Sequence, residues 1–323
     1  MKDFLFKSPT KVKFGAGISF QLYEIFEEMG AKKPFFVTGK HVGKTDEFAK
    51  IIASLEEKGY SVQLFTDTQP DPPIDVCDAA AQVLKDSGCD VCVAVGGGSV
   101  IDTAKAMCML VTNEGSVKEY LFGGSKTVEN PSLPLIAVPT TAGSGSEVSA
   151  ASVITDEEND IKLSVSHEYL MPQFAIIDPL QQIHMPAFIT ATTGMDALTH
   201  AIESYVSLNA NPFSDAYGEM AIRLIGENIR AAVHDPLNLE AREKIAVAST
   251  LAGTAFVNGG LGAVHGISQA MGGVAHVAHG TANSMMLPFV IEKNIPGNLE
   301  KFGKIAKLLG ENVAGLSKWE AAH

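Results

Sequence analysis

The segment Thr193-Gly194-Met195-Asp196-Ala197-Leu198-Thr199-His200 opens a long stretch rich in Ala, Leu and Ile. A carboxylate and an imidazole four residues apart share one face of a helix, so Asp196 and His200 could hold one ion. Such pairs are common on helix surfaces as plain polar contacts, and a second region is what gives this one weight. Gly259-Gly260-Leu261-Gly262-Ala263-Val264-His265 and His276-Val277-Ala278-His279-Gly280 place three of the nine histidines within fifteen residues of otherwise nearly apolar chain. Buried imidazoles cost desolvation unless paired or ligated. One aspartate and three histidines offer N and O donors suited to Fe(II) or Zn(II), and an open position would make the ion a Lewis acid. Spacing alone does not choose between His276 and His279 as the last ligand.

Two loops carry a different chemistry. Val95-Gly96-Gly97-Gly98-Ser99-Val100-Ile101-Asp102 follows an apolar run and opens a helical one. Three glycines allow close backbone approach, and the N–H groups of a helix start favour a pyrophosphate. The loop is neither the G-x-G-x-x-G fingerprint nor a Walker loop, and a tight turn would need fewer glycines. Pro139-Thr140-Thr141-Ala142-Gly143-Ser144-Gly145-Ser146-Glu147 is a second loop rich in hydroxyls and glycine. Neighbouring parallel strands would bring both loops to one carboxyl edge, where such sheets bind ligands.

The elements that must position these residues are legible as patterns. Strands are expected at 34–38, 61–65, 91–95, 133–139 and 174–178, with helices near 21–29, 46–58, 75–87 and 99–110 between the first four. That alternation predicts a parallel sheet covered on both faces. Residues 151–154 and 162–165 read as a hairpin with a polar turn. From about Pro186 the pattern turns helical, at 191–207, 214–233, 239–256, 264–271, 280–291, 299–309 and from 314 on. The fold expected is a Rossmann-like α/β dinucleotide-binding domain over 1–185, then an all-α metal and substrate domain over 186–323.

Composition bounds the rest. The 323 residues are 46% hydrophobic and 19% charged, enough for a packed core, and the formal charge of −13 disfavours nucleic acid or anionic lipid as a partner. No apolar run is long enough to span a membrane and Met1–Lys7 does not read as an export signal, so a cytoplasmic location is expected. Of the four cysteines, Cys89 and Cys92 have C-x-x-C spacing, but on a strand such a pair points to opposite faces. Buried, inert thiols are the reading for Cys77, Cys89, Cys92 and Cys108.

Together these pieces resemble the iron-containing (group III) alcohol dehydrogenase family over essentially the whole chain. The matching motifs are Gly96–Asp102, Pro139–Glu147, Ile177-Asp178-Pro179, Thr193–His200 and Gly262–Pro288. The resemblance implies an N-terminal nucleotide domain, a helical C-terminal domain and a metal in the cleft between. It makes Asp196, His200, His265 and His279 the metal ligands, through which they act catalytically, with His276 lining the site. It also puts cofactor contacts at Gly97, Gly98, Ser99, Asp102, Thr140, Thr141 and Ser144, with Lys162 reaching the ribose. Where NAD-preferring relatives often hold an aspartate, this chain has Gly39 followed by Lys40. A missing carboxylate and a nearby lysine favour a 2′-phosphate, so NADP is expected over NAD.

Three positions depart from the family pattern. A further histidine linked to proton relay is Gln269 here, and an amide does not titrate near neutral pH. Gln181-Gln182 replaces a leucine-threonine pair, which is expected to alter packing on the nicotinamide side. The family usually continues for several more helices, so a truncated form with uncovered apolar surface is expected. The activity implied is reversible hydride transfer between a small alcohol or diol and NAD(P), with Fe(II) or Zn as the ion and a homodimer as the common assembly. Phe256, Leu261 and Val264 lie near the ligands in sequence and suit uncharged alcohols. Alternatives are a glycerol dehydrogenase, a hydroxyacid–oxoacid transhydrogenase, a dehydroquinate synthase, or an inactive nucleotide- or metal-binding fragment. The lyase would need clustered basic residues for a phosphate substrate, which are not seen.

Overall fold

The computed structural model describes residues 3–323. Its α/β part is built on β2 (Pro34–Thr38), β4 (Val91–Gly96), β5 (Leu135–Pro139) and β8 (Phe174–Ile177), buried along their whole length. β1 (Lys11–Phe14) and β3 (Gln63–Phe65) flank them, giving a parallel sheet of order β1-β8-β5-β4-β2-β3. Strands buried on both faces need apolar side chains at every position, and period-two alternation sorts them into two cores. Phe36, Val91, Val93, Val95, Ile136 and Val138 pack with α1 (Leu22–Met29) and α2 (Asp46–Glu57). Phe35, Val37, Cys92, Ala94 and Ala137 pack with α3 (Ile74–Ser87) and α4 (Gly98–Thr112). β6 (Ala151–Asp156) and β7 (Ile161–Ser166) form the antiparallel hairpin read from the sequence.

The helical part comprises α5 (Ala187–Val206), α6 (Pro212–His234), α7 (Leu239–Gly259), α8 (Ala263–Ala275), α9 (His279–Asn294), α10 (Leu299–Leu308) and α11 (Lys318–Ala322). α5 starts four residues before the expected position, and its start is pinned by Arg242, which is almost fully buried. The guanidinium donates to Thr190 Oγ1 (2.8 Å), Met185 O (3.1 Å) and Pro236 O (3.1 Å), satisfying its charge with oxygens. The terminal helix expected from 314 begins at Lys318, because Ser317 caps it and Glu320 bonds back to Ser317 N.

The chain divides into two units that are not sequential. One is Pro9–Thr141 with Ser146–Ile183; the other joins residues 3–8 and Ala142–Gly145 to His184–His323. Residues 3–8 belong to the helical unit because Lys7 and Asn258 exchange two hydrogen bonds and Phe6 stacks beside Phe213 and Tyr217. The four-residue strap belongs there because Gly145, at φ 62°, brings its Cα edge against Gly253. A Cβ at Gly145 would lie 2.6 Å from Gly253 Cα, so only glycine fits. Among the described residues no single helix is long and apolar enough to cross a membrane. Cys77, Cys92 and Cys108 are buried and Cys89 half-buried, all as free thiols.

Candidate metal centre

Three helices of the helical unit build the site. α5 presents Asp196, His200 and Glu203 on one face at i, i+4 and i+7; α8 carries His265 in its first turn, and α9 begins at His279. Asp196 Oδ1, His265 Nε2 and His279 Nε2 come together with all three ligand atoms within 4.8 Å of one another. Asp196 Oδ1 is 3.6 Å from His265 Nε2 and 3.5 Å from His279 Nε2. His200 stands at the edge of this group, its Nε2 3.9 Å from the same oxygen and its ring stacked on His265 at 4.4 Å. On its other face the His200 ring stacks on Phe256 at 4.6 Å, an apolar wall for the site. His276 is the exposed, left-handed end of α8 and is not part of this group.

The surroundings fix which ring nitrogens face inward. His265 Nδ1 lies 2.6 Å from Glu203 Oε2, and His200 Nδ1 lies 3.2 Å from Gly143 O in the strap. A carboxylate and a carbonyl only accept, so both rings donate from Nδ1 and turn Nε2 toward Asp196. Asn283 donates from Nδ2 to Asp196 Oδ1 (2.6 Å), with His279 Nε2 (3.1 Å) and His265 Nε2 (3.3 Å) beside it, while its Oδ1 accepts from Ser268 (2.5 Å). One amide has two hydrogens for three acceptors. Converging lone pairs of this kind are what a cation satisfies, so the residues present fit a divalent ion.

The electrostatics agree with that fit. Burial would raise the Asp196 carboxyl, but the imidazoles of His200, His279 and His265 outweigh it and hold it far below the usual carboxylate range. Burial drives His200 down to about 3 against the pull of Asp196, keeping it neutral. At His265 burial is outweighed by hydrogen bonds to Asp196 and Glu203, which bring it up to about 9, so without an ion Nε2 carries a proton that a bound cation would displace to expose the lone pair. The two buried carboxylates thus favour positive charge at this point.

Of the residues expected at the nucleotide, Gly39, Gly97, Gly98, Thr140 and Thr141 follow the ends of β2, β4 and β5, Ser99 and Asp102 lie on α4, and Lys162 lies on β7 of the separate hairpin. Gly97 caps α4 directly after β4, and a Cβ on Gly96 would meet Val100 at 2.5 Å, which explains the glycine. Thr140 N donates to Gly96 O (2.9 Å), and Gly97 packs against Thr141, so the two loops touch. Ser99 Oγ accepts from Asp71 N (3.2 Å), and Lys162 Nζ is 2.6 Å from Asp71 Oδ1. Asp102 braces the second loop, accepting from Ser146 Oγ (2.5 Å) and Val153 N (3.1 Å). Gly98 is the first residue of α4; Gly39 bridges to Asp67 at the end of β2; Ser144 lies in the strap, with the helical unit. Asp178 is a buried brace that accepts from Gly17 N, Ser19 and Leu180 N. Gln181 donates to Ser19 Oγ and Gln182 to Pro139 O, the residue that opens the second loop.

Sequence reasoning did not single out Glu203 or Asn283. The signal was present as helical spacing: Glu203 is seven residues after Asp196 and Asn283 four after His279, each on its ligand's face.

A parallel-sheet domain with a glycine-rich strand-to-helix loop, and a helical domain with a buried Asp–His cluster, define a metal-dependent, dinucleotide-linked oxidoreductase. Comparison with known proteins gives the particular family. The model for iron-containing alcohol dehydrogenase matches residues 9–179, and that for the C-terminal part of the Fe-containing alcohol dehydrogenase family matches 190–323. The chain is 41% identical over 314 residues to the NAD-dependent methanol dehydrogenase of Bacillus methanolicus, covering 97% of this chain and 82% of that one. It is 44% identical over 297 residues to the 1,3-propanediol dehydrogenase of Klebsiella pneumoniae, covering 91% and 76%. A crystal structure of a 1,3-propanediol oxidoreductase superposes with a TM-score of 0.95 at 41% identity, over 99% of this chain and 84% of that one. This chain belongs to the iron-containing alcohol dehydrogenase family.

Proposed function

We propose that this chain is an alcohol dehydrogenase and aldehyde reductase for short, uncharged alcohols or diols, using Fe(II) or Zn(II) and NADP(H) in preference to NAD(H). The observation that carries the reading is the convergence of Asp196, His265 and His279, with His200 beside them. These four residues would hold a divalent ion, which when bound would supply Lewis acidity toward a substrate oxygen, while a bound nicotinamide would exchange the hydride. The chain's own part is positioning. Glu203 and Gly143 O orient two imidazoles, Asn283 holds Asp196 Oδ1, and the Phe256 ring gives the substrate an apolar wall. Gln269, half-buried one turn after His265, has no titratable proton, so proton release runs through water or another group.

Relatives acting on methanol and 1,3-propanediol support a short alcohol or diol as substrate. Gly97, Gly98, Ser99, Asp102, Thr140, Thr141, Ser144 and Lys162 serve the cofactor, and Gly39 with Lys40 supports the NADP(H) preference. A cytoplasmic homodimer is the setting this reading adopts. The test is an anaerobic panel of short alcohols, diols and aldehydes with Fe(II) and either cofactor. Turnover of short alcohols with Fe(II) present supports the proposal; no turnover of any panel member with either cofactor refutes it.

A further inference from the structure

The geometry points to Glu203 as a positioning residue that sets the ligand state of His265 and thereby the grip on the ion. The inference rests on the metal reading above and names a residue that does not itself contact the ion.

Glu203 is almost fully buried, and its two oxygens have two different duties. Oε2 accepts from His265 Nδ1 at 2.6 Å, and Oε1 accepts from Val264 N at 2.7 Å, satisfying one of the orphan donors at the start of α8. The same carboxylate therefore fixes both the helix that carries His265 and the ring itself. Because a carboxylate only accepts, it holds a proton on Nδ1 and leaves the Nε2 lone pair for the ion, while its charge strengthens that nitrogen as a donor. Gly262 is part of the device. A Cβ there would stand 2.6 Å from Glu203 Oε1, so a larger residue at this helix start must displace the carboxylate. Glutamine is nearly the same size but has one accepting oxygen, so it can serve the ring or the helix, not both.

The test uses the whole 323-residue chain and Zn(II) alone as the probe, with affinity read by chelator competition. E203Q is expected to raise the Zn(II) dissociation constant 10- to 100-fold, the range typical for the loss of such a partner. G262A, which leaves the carboxylate in the chain but displaces it, is expected to weaken binding in the same direction. Metal-free stability is measured alongside, because a purely structural role would lower it without a separate change in Zn(II) affinity. A readout that needs no variant is 15N NMR of histidine-labelled wild-type protein loaded with Zn(II). His265 is expected to carry its proton on Nδ1, in a strong, exchange-protected hydrogen bond. Equal Zn(II) affinity in E203Q and wild type, or a His265 protonated on Nε2, would overturn the role of Glu203 alone. A wild-type protein that binds no ion would overturn both this inference and the metal reading.

Discussion

Gly39→Asp tests the proposed NADP(H) preference at a position that the structure leaves open to a side chain. Gly39 closes the path of β2 and bridges to Asp67, and a Cβ there would meet only Thr68 Oγ1 at 3.5 Å and Val100 at 4.0 Å, ordinary contacts. The substitution therefore adds a carboxylate without displacing the backbone. Lys40 is paired with Asp67 at 3.3 Å, but both side chains are about 70% exposed, and such a pair is worth less than about 1 kcal/mol. Lys40 is free to exchange that partner for a 2′-phosphate. In Gly39→Asp, a carboxylate roughly 6 Å from a phosphate of charge near −2 costs about 1–3 kcal/mol at the dielectric of a wet surface. The same carboxylate accepting from a 2′-hydroxyl gains about 1.5 kcal/mol for NAD. The ratio of kcat/KM for NADP over NAD should then fall on the order of 100-fold, with the effect shrinking as salt is added. The assay is initial-rate oxidation of one alcohol with each cofactor, at equal metal content and ionic strength. A wild-type enzyme that strongly prefers NAD, or a variant whose ratio moves less than twofold, would refute the reasoning.

Other consequences can be checked independently. His279→Ala and His200→Ala should each lose tight metal retention and turnover together; metal analysis after gel filtration, run beside the rate assay, checks this, and a variant keeping both removes that residue from the ligand set. Lys105 is fully buried, with Nζ donating to Ser146 Oγ, Ser149 Oγ and Ala151 O, and burial lowers it to about 8 from 10.5 despite the pull of Asp102 and Glu147. Between those pH values the unfolded chain binds the proton and the folded chain does not, so this group makes stability rise with pH across that window, by about 3 kcal/mol, and adds nothing further outside it. Burial raises the Cys77 thiol above its ordinary value of 9.0, so its contribution to stability falls as pH rises past that value, within the upper part of this window; the measurement is therefore the difference between denaturation curves of wild type and Lys105→Met. The rise should be absent from the variant.

What the sequence revealed and what it hid follow from the range of the forces involved. β2, β4, β5 and β8 are buried on both faces, so their near-continuous apolar runs stood out. β1, with residues Lys11-Val12-Lys13-Phe14 mostly exposed at the sheet edge, has no such run and was missed. The metal candidates were visible because helical spacing and local crowding of histidines are short-range signals. That Ala142–Gly145 groups with the helical unit was not visible, because it depends on the approach of Gly145 to Gly253, more than a hundred residues away. Glu203 was hidden for a related reason: a glutamate on a helix is ordinarily solvated, and only its contact with His265 Nδ1 on another helix gives it a role. His276 shows the reverse case, where crowding in sequence drew attention to a residue that the end of α8 turns outward.

The central claim is that Asp196, His200, His265 and His279 hold one divalent ion on which alcohol oxidation depends. Its most direct measurement is anaerobic Fe(II) titration of chelator-stripped protein, following bound iron and alcohol oxidation in the same samples. The account predicts one tightly bound ion per chain and activity that returns in proportion to it. Full activity in protein with no bound metal, or tight binding at full stoichiometry in a protein lacking both His265 and His279, would contradict it.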